Sequence, residues 1–309
     1  MQVEHASGRL PLAAIVLTYN EELNISACLE SIAELPQEIF VVDSGSTDRT
    51  LGLCRKYTDH IYEHDFIDSA SQWSWALCNL PLNSDWILPL DADHRLDEPL
   101  KNDIRSVILN PNPEINGYFS RHQYIFMGHH IRGFKNYGLR LFRRSQTTLD
   151  RSELVDFRFV VDGKTRVLRG CVYEDNRKEA SIDFWIDKHR KFSARVATEE
   201  VLRRMGELQW TVRPRLFGNP DERIIWLKER WYVMPLFVRP FLYFFYRYFV
   251  RLGFLDGTPG LVYHFMQALW FRLLVDIRIA ELRKQIKGGQ VSVKELAASA
   301  ANRFEQVPR

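Results

Sequence analysis

The chain has 309 residues, with 46% hydrophobic and 26% charged residues. This is ordinary for a globular protein and enough for a sizeable core in one large or two small domains. A formal net charge of +3 is too small to argue for nucleic acid as a partner. Cys28, Cys54, Cys78 and Cys171 have no metal-ligand spacing and read as reduced thiols in a cytosolic setting. No internal repeat or low-complexity tract is present.

The apolar run Leu10–Leu17 has no clear basic stretch before it and no small-residue cleavage site after it. It therefore reads as a buried strand rather than a signal peptide. Leu12–Leu17 is the first predicted strand, followed by the polar turn Thr18–Asn24. Asn24 is placed to cap a helix whose apolar face is Ile25, Cys28, Leu29 and Ile32, with Cys28 as a buried thiol. Glu38–Val42 is a second strand. It ends in Asp43-Ser44-Gly45-Ser46-Thr47-Asp48, turn and capping residues that lead into a helix through Leu51, Leu53 and Cys54. A short strand near His60–Glu63, a helix near Ser71–Leu80 and a strand from Trp86 complete this part. The alternation predicts an α/β, Rossmann-like, mostly parallel sheet with right-handed crossovers and helices on both faces. The strand ends at Thr18, Asp43 and Asp91 would share one rim.

The strand Trp86-Ile87-Leu88-Pro89-Leu90 runs into Asp91-Ala92-Asp93-His94. In an extended chain, side chains two apart point the same way, so Asp91 and Asp93 would converge on one cation or polar ligand. Hard carboxylate oxygens suit Mg²⁺ or Mn²⁺, ions usually held by few carboxylates plus substrate phosphates. Asp is also a common turn residue, and Asp-x-Asp alone is a weak signal. Neither a Gly-x-Gly-x-x-Gly nor a Gly-x-x-x-x-Gly-Lys-Ser/Thr segment occurs, so a nucleotide site here would need carboxylates and a metal.

From Ile115 the pattern changes to short mixed strands around Tyr118–Arg121, Leu139–Arg144 and Phe157–Val161. Asp162-Gly163 offers a hairpin turn before Thr165–Leu168. Asp183–Arg204 reads as a charged helix. The last third is aromatic and basic. Trp231–Val250 is strongly apolar but carries Arg239 and Arg247, and Pro235 and Pro240 break it into short pieces. A spanning helix needs about 20 mostly apolar residues, and a central Arg is costly there. The segment thus reads as helices in a membrane interface, with Arg239, Arg247 and Arg251 facing lipid phosphate. The alternative is a helical subdomain packed on the core.

Taken together, Val16-Leu17-Thr18-Tyr19-Asn20-Glu21-Glu22, Val41-Val42-Asp43-Ser44-Gly45-Ser46-Thr47-Asp48 and Leu90-Asp91-Ala92-Asp93 make the chain resemble family 2 glycosyltransferases of the GT-A fold. The specific likeness is to bacterial enzymes of lipopolysaccharide-core and exopolysaccharide assembly. It continues through Leu139–Arg144, Val160–Thr165, Phe184–His189 and Gly253–Gly257, nearly the whole chain. The resemblance implies a transferase domain over residues 1–206, a helical membrane-interfacial region over 207–309, and inverting transfer from a nucleotide-sugar. The acceptor would be a glycan or lipid-linked molecule at the inner face of the cell membrane. It further implies that Thr18, Tyr19 and Glu21 lie against base and ribose, and that Asp43 bonds the base. Asp91 would be the donor-side carboxylate and Asp93 the ligand of Mg²⁺ or Mn²⁺.

This chain departs from the family pattern at three places. His94 stands where Glu is common. Gln72-Trp73-Ser74 replaces a polar Gln-Lys-Asn-like run. Phe157-Arg158 occupies the place of an acidic residue beside His. An inverting transfer needs a base; Asp156 is the nearest candidate by position, with Glu153 behind it. The departure at Phe157-Arg158 also admits a non-catalytic nucleotide-sugar-binding or scaffold protein. A nucleotidyltransferase ranks below both, because its glycine-rich basic loop is missing.

Overall fold

The structure is a computed structural model that describes residues 8–134 and 136–305. The strands are β1 (Leu10–Thr18), β2 (Pro36–Asp43), β3 (Ile61–Glu63), β4 (Trp86–Asp91), β5 (His94–Leu96), β6 (Ile115–Phe126), β7 (His129–His130), β8 (Asn136–Arg143), β9 (Thr147–Asp150), β10 (Arg158–Val161) and β11 (Lys164–Glu174). The helices are α1 (Ile25–Ile32), α2 (Thr50–Cys54), α3 (Ser69–Asn79), α4 (Glu98–Leu109), α5 (Ile182–Arg204), α6 (Pro220–Val233), α7 (Arg239–Phe245), α8 (Gly257–His264), α9 (Phe271–Lys287) and α10 (Val293–Glu305).

Residues 8–125, 136–149 and 158–177 form one compact unit, and residues 126–134, 150–157 and 178–305 a second. In the first, the main sheet runs β3-β2-β1-β4-β8-β6-β11-β5. β3, β2, β1 and β4 are parallel neighbours, as the alternation of strands and helices predicts. The sheet does not end at β4; β8 continues it antiparallel. Ala13–Val16 are fully buried, because a parallel strand covered on both faces needs a continuous apolar run rather than alternation. One face packs Ile25, Leu29 and Ile32 of α1 and Leu100, Ile104 and Ile108 of α4. On the other side, Trp73 of α3 meets Phe159 of β10, their rings 5.4 Å apart, and Phe159 meets Phe142 of β8 at 4.7 Å.

Two local expectations are corrected. Asp162-Gly163 does turn the chain, with Gly163 at φ +99°, but not into a hairpin. β10 pairs with β9, while β11 joins the main sheet parallel to β6. Asn24 sits at the start of α1 without capping it. Its side chain instead donates to Glu21 Oε2 (2.6 Å) and accepts from the Arg177 amide (3.0 Å), tying two distant loops together.

The second unit is helical. α5, within the range expected for the transferase domain, packs along α9. α6 ends before Pro235, and α7 takes Pro240 in its first turn, where no backbone donor is needed. No helix among the described residues is long and apolar enough to cross a membrane. Arg239 and Arg247 are buried rather than exposed on the helix surface. Arg239 is fully buried between Asp276 (2.5 Å) and Glu200 (2.9 Å), and Arg247 is buried beneath Tyr243 and Phe134. A guanidinium moved out of water needs paired acceptors, and the fold supplies them to Arg239 from two helices far away in sequence.

Candidate functional site

The expected rim exists. Thr18 pairs in register with Asp43, and Leu17 with Asp91. Backbone bonds tie the strand ends: the Ser44 amide donates to the Thr18 carbonyl (3.0 Å) and the Ala92 amide to that of Leu17 (3.1 Å). The polar turns are bonded to each other as well. The Asn20 amide donates to Ser46 Oγ (2.8 Å), the Thr47 amide to Asn20 Oδ1 (2.8 Å) and the Glu21 amide to Thr50 Oγ1 (2.7 Å). Thr18 is buried here, whereas the Tyr19 ring stands out with 54% of its surface exposed.

Asp43 is fully buried, and its carboxylate serves its own turn. It accepts from the amides of Gly45 (2.9 Å) and Ser46 (2.7 Å) and from Ser46 Oγ (2.5 Å). Gly45 has φ +86°, a conformation cheap only for glycine. Gln72 braces the turn by donating to Ser44 Oγ (2.5 Å) and the His64 carbonyl (2.9 Å). Gly45, Glu63, His64 and Asp65 line a depression beside it, and Trp75 stacks on His64 at 4.7 Å.

Asp91 and Asp93 do converge, though not through extended geometry. β4 ends at Asp91 and the chain turns before β5 begins at His94. The point of convergence is His94, the residue that departs from the family pattern. Its Nε2 lies 3.5 Å from Asp91 Oδ2 and 3.9 Å from Asp93 Oδ1. Its Nδ1 accepts from the Asp91 amide (2.9 Å). A backbone amide can only donate, so neutral His94 carries its proton on Nε2, towards the carboxylates. Burial, followed by the charge of Arg140, holds the imidazole well below its ordinary range. The Asp91 side chain is 53% exposed and that of Asp93 13%. This leaves carboxylate surface for a hard cation, and the oxygen-rich pair fits Mg²⁺ or Mn²⁺.

Sequence reading missed the neighbouring cluster. β5, β6, β8 and β11 bring His94, His122, Arg140 and Glu174 together. Arg140 donates to His122 Nδ1 (2.8 Å), and His122 Nε2 meets Glu174 Oε2 at 2.7 Å. Ligand atoms of His94, His122 and Glu174 lie within 4.8 Å of one another, close enough to hold a metal. The donors argue otherwise. An arginine does not accept, so His122, like His94, keeps its proton on Nε2, where a metal would need a lone pair. His122 donates to the Glu174 carboxylate at 2.7 Å, and the Nε2 of His94 lies 3.5 and 3.9 Å from the carboxylates of Asp91 and Asp93. The Asp175 amide also donates to the Asp93 carbonyl (3.0 Å), which places Glu174 beside the Asp91–Asp93 turn. No sequence period links residues 94, 122, 140 and 174; only the pairing of strands does.

Asp156 and Glu153 belong to the second unit. Glu153 is buried and bonded to Lys228, and Asp156, 62% exposed, lies 3.8 Å from the same ammonium. The local partner is thus Lys228. In the first unit, burial, followed by the nearby Asp93 and Asp91 charges, pushes the Cys28 thiol well above its ordinary range, and burial pushes Cys54 up to about 12. Both remain protonated packing groups.

Carboxylates at the carboxyl end of a central strand, flanked by two bonded polar turns, stand where α/β folds commonly bind their ligands. Residues 13–153 match the family model of glycosyl transferase family 2. The chain is 30% identical over 280 residues to the lipopolysaccharide core biosynthesis glycosyltransferase LpsC of Rhizobium meliloti (strain 1021), covering 84% of this chain and 91% of that protein. It is also 30% identical over 105 residues to an uncharacterized glycosyltransferase of Rickettsia felis, covering 33% of this chain and 36% of the relative. Among solved structures, glucosyl-3-phosphoglycerate synthase from Mycobacterium tuberculosis, in complex with Mn²⁺, UDP and glucosyl-3-phosphoglycerate, is similar at 20% identity with a TM-score of 0.28. That match covers 38% of this chain and 44% of that one. The chain belongs to glycosyltransferase family 2. It is a nucleotide-sugar glycosyltransferase built on the GT-A fold.

Proposed function

We propose that the protein transfers a hexose with inversion from a nucleotide-diphosphate-sugar to a growing lipopolysaccharide-core or exopolysaccharide acceptor. The observation that carries this is the convergence of Asp91 and Asp93 at the rim shared with Thr18 and Asp43. Thr18, Tyr19 and Glu21 receive base and ribose, and Asp43 shapes the base site by holding the Gly45–Ser46 turn. Asp93, with Asp91, would hold Mg²⁺ or Mn²⁺, which when bound neutralises the charge of a diphosphate leaving group. His94 holds the two carboxylates in place.

The acceptor hydroxyl must lose a proton as the bond forms. Asp156 is one candidate base, 3.8 Å from Lys228. Glu174 is the stronger one, because its position beside Asp93 is built by β11 and fixed by His122. Residues 1–206 carry the donor chemistry in this reading. Residues 207–309 hold the enzyme at the inner face of the cell membrane through exposed apolar side chains such as Phe241, Phe245 and Phe249. A screen of labelled nucleotide-sugars with Mn²⁺ tests the proposal. Metal-dependent transfer to core oligosaccharide is the expected result, and binding without turnover would make the protein a nucleotide-sugar-binding scaffold instead.

A further inference from the structure

Arg239 and Arg247 look alike in sequence, and the fold treats them oppositely. Arg239 meets two carboxylates. Arg247 is 3% exposed and, like Arg251 and Arg272, is in no ion pair among the described residues. Its Nη1 donates to the Tyr243 hydroxyl at 2.8 Å, and its Cζ lies 4.1 Å from the centre of the Phe134 ring. Its Nε and Nη2 are buried with no hydrogen-bond partner among the described residues. Those two groups form one edge of the guanidinium, the fork that grips a phosphate through two parallel bonds. Arg272 lies beside the same Tyr243 ring, its Cζ 5.7 Å from the centre against 5.4 Å for that of Arg247, and its Nε is buried and has no hydrogen-bond partner among the described residues. Burial raises the Tyr243 hydroxyl, yet the charges of Arg247 and Arg272 outweigh it and the net shift is downward. His264, buried with both ring nitrogens unpartnered among the described residues, is lowered to about 4 by burial and by Arg247, and so adds no further cation. A buried charge with open donors is costly, and such groups call for an acceptor. On the same segment as Tyr243 and Arg247, Phe241, Phe245 and Phe249 are each about half exposed, at 55%, 57% and 47%. Arg251 and Arg272 are partly exposed, which leaves the cluster open towards solvent.

We propose that Arg247 and Arg272, with Tyr243, form a binding site for the phosphate of a lipid headgroup at the edge of the exposed aromatic surface. The site rests on the membrane reading above and sharpens it: apolar side chains supply adhesion, and the two guanidinium edges select a phosphomonoester. The test uses the full chain with phosphatidylcholine vesicles, with and without phosphatidic acid, in a sedimentation assay. Wild type should prefer the phosphatidic acid vesicles, and Arg272→Gln and Arg247→Lys should lower that preference roughly tenfold, the loss of one charge-assisted bond or more. Arg272→Lys keeps the charge without the fork and serves if Arg272→Gln fails to fold. Equal preference in wild type and folded variants overturns the site. Recruitment to phosphatidylcholine alone, abolished by Phe245→Ser with Phe249→Ser, reads the membrane proposal separately. If no vesicle recruits wild type, membrane docking and the lipid site both fall. Inorganic phosphate then reports whether the cluster binds a free anion: a rise in melting temperature that Arg272→Gln lacks would assign it to soluble phosphate.

Discussion

Arg140 donates to Nδ1 of His122 across 2.8 Å, and this single bond fixes where the His122 proton sits. The proton is on Nε2, aimed at Glu174 2.7 Å away. His122→Ala removes an acceptor from Arg140 and a donor from Glu174 together. The expected loss is about tenfold to a hundredfold in kcat with little change in donor KM. His122→Gln, which can both accept and donate, should recover part of it. The metal concentration for half-maximal activity should not move in either variant. A large shift there would reinstate His122 as a metal ligand.

Asp93→Ala should abolish transfer, by roughly a thousandfold or more, while the fold is kept. Asp91→Asn should weaken donor binding more than it alters acceptor KM. Steady-state kinetics on chelator-treated and metal-restored protein check both. Full activity of Asp93→Ala after chelation would remove the carboxylate pair from the chemistry.

Arg239 is expected to matter for stability rather than for lipid contact. Arg239→Gln leaves Asp276 buried without its cation and Glu200 with Arg204 as its remaining cation, and should cost about 3–5 kcal/mol. Urea unfolding reads this directly. An unchanged midpoint would mean that the ion pairs are relaxed in solution.

Acid should weaken the helical unit. His189 and His264 are both lowered to about 4, chiefly by burial. The unfolded chain takes up a proton at each near pH 6.5, whereas the folded chain stays neutral until about pH 4. Stability from these groups is therefore complete above about pH 6.5 and falls away as pH drops towards about 4, by up to about 3 kcal/mol each. Melting temperatures across that window should fall less steeply in His189→Gln. Identical slopes would show that His189 is not held neutral.

Gly170 sits where a Cβ would lie 2.1 Å from the Leu100 amide nitrogen. Gly170→Ala must push α4 away from β11, so a loss of about 1–3 kcal/mol in thermal or urea unfolding is expected. Tolerance of alanine there would mean that α4 packs more loosely.

The sequence by itself determined the alternating strands and helices, the strand ends at Thr18, Asp43 and Asp91, and the break in the aromatic segment at Pro235 and Pro240. These are local matters. Apolar runs, turn residues and proline act over a few positions, and a parallel sheet then aligns its strand ends in register. Tertiary structure alone decided that His94, a departure from the family pattern, would join Asp91 and Asp93, and that His122, Arg140 and Glu174 would meet beside them. Those contacts form because β5, β6, β8 and β11 pair across long stretches of chain, and no periodicity records such pairing. Arg239 and Arg247 make the same point. The chain gives both the same aromatic neighbourhood, yet only Arg239 finds carboxylates, because Glu200 and Asp276 reach it from helices remote in sequence. A buried charge is settled by the partner that packing brings to it, and packing is a property of the whole fold.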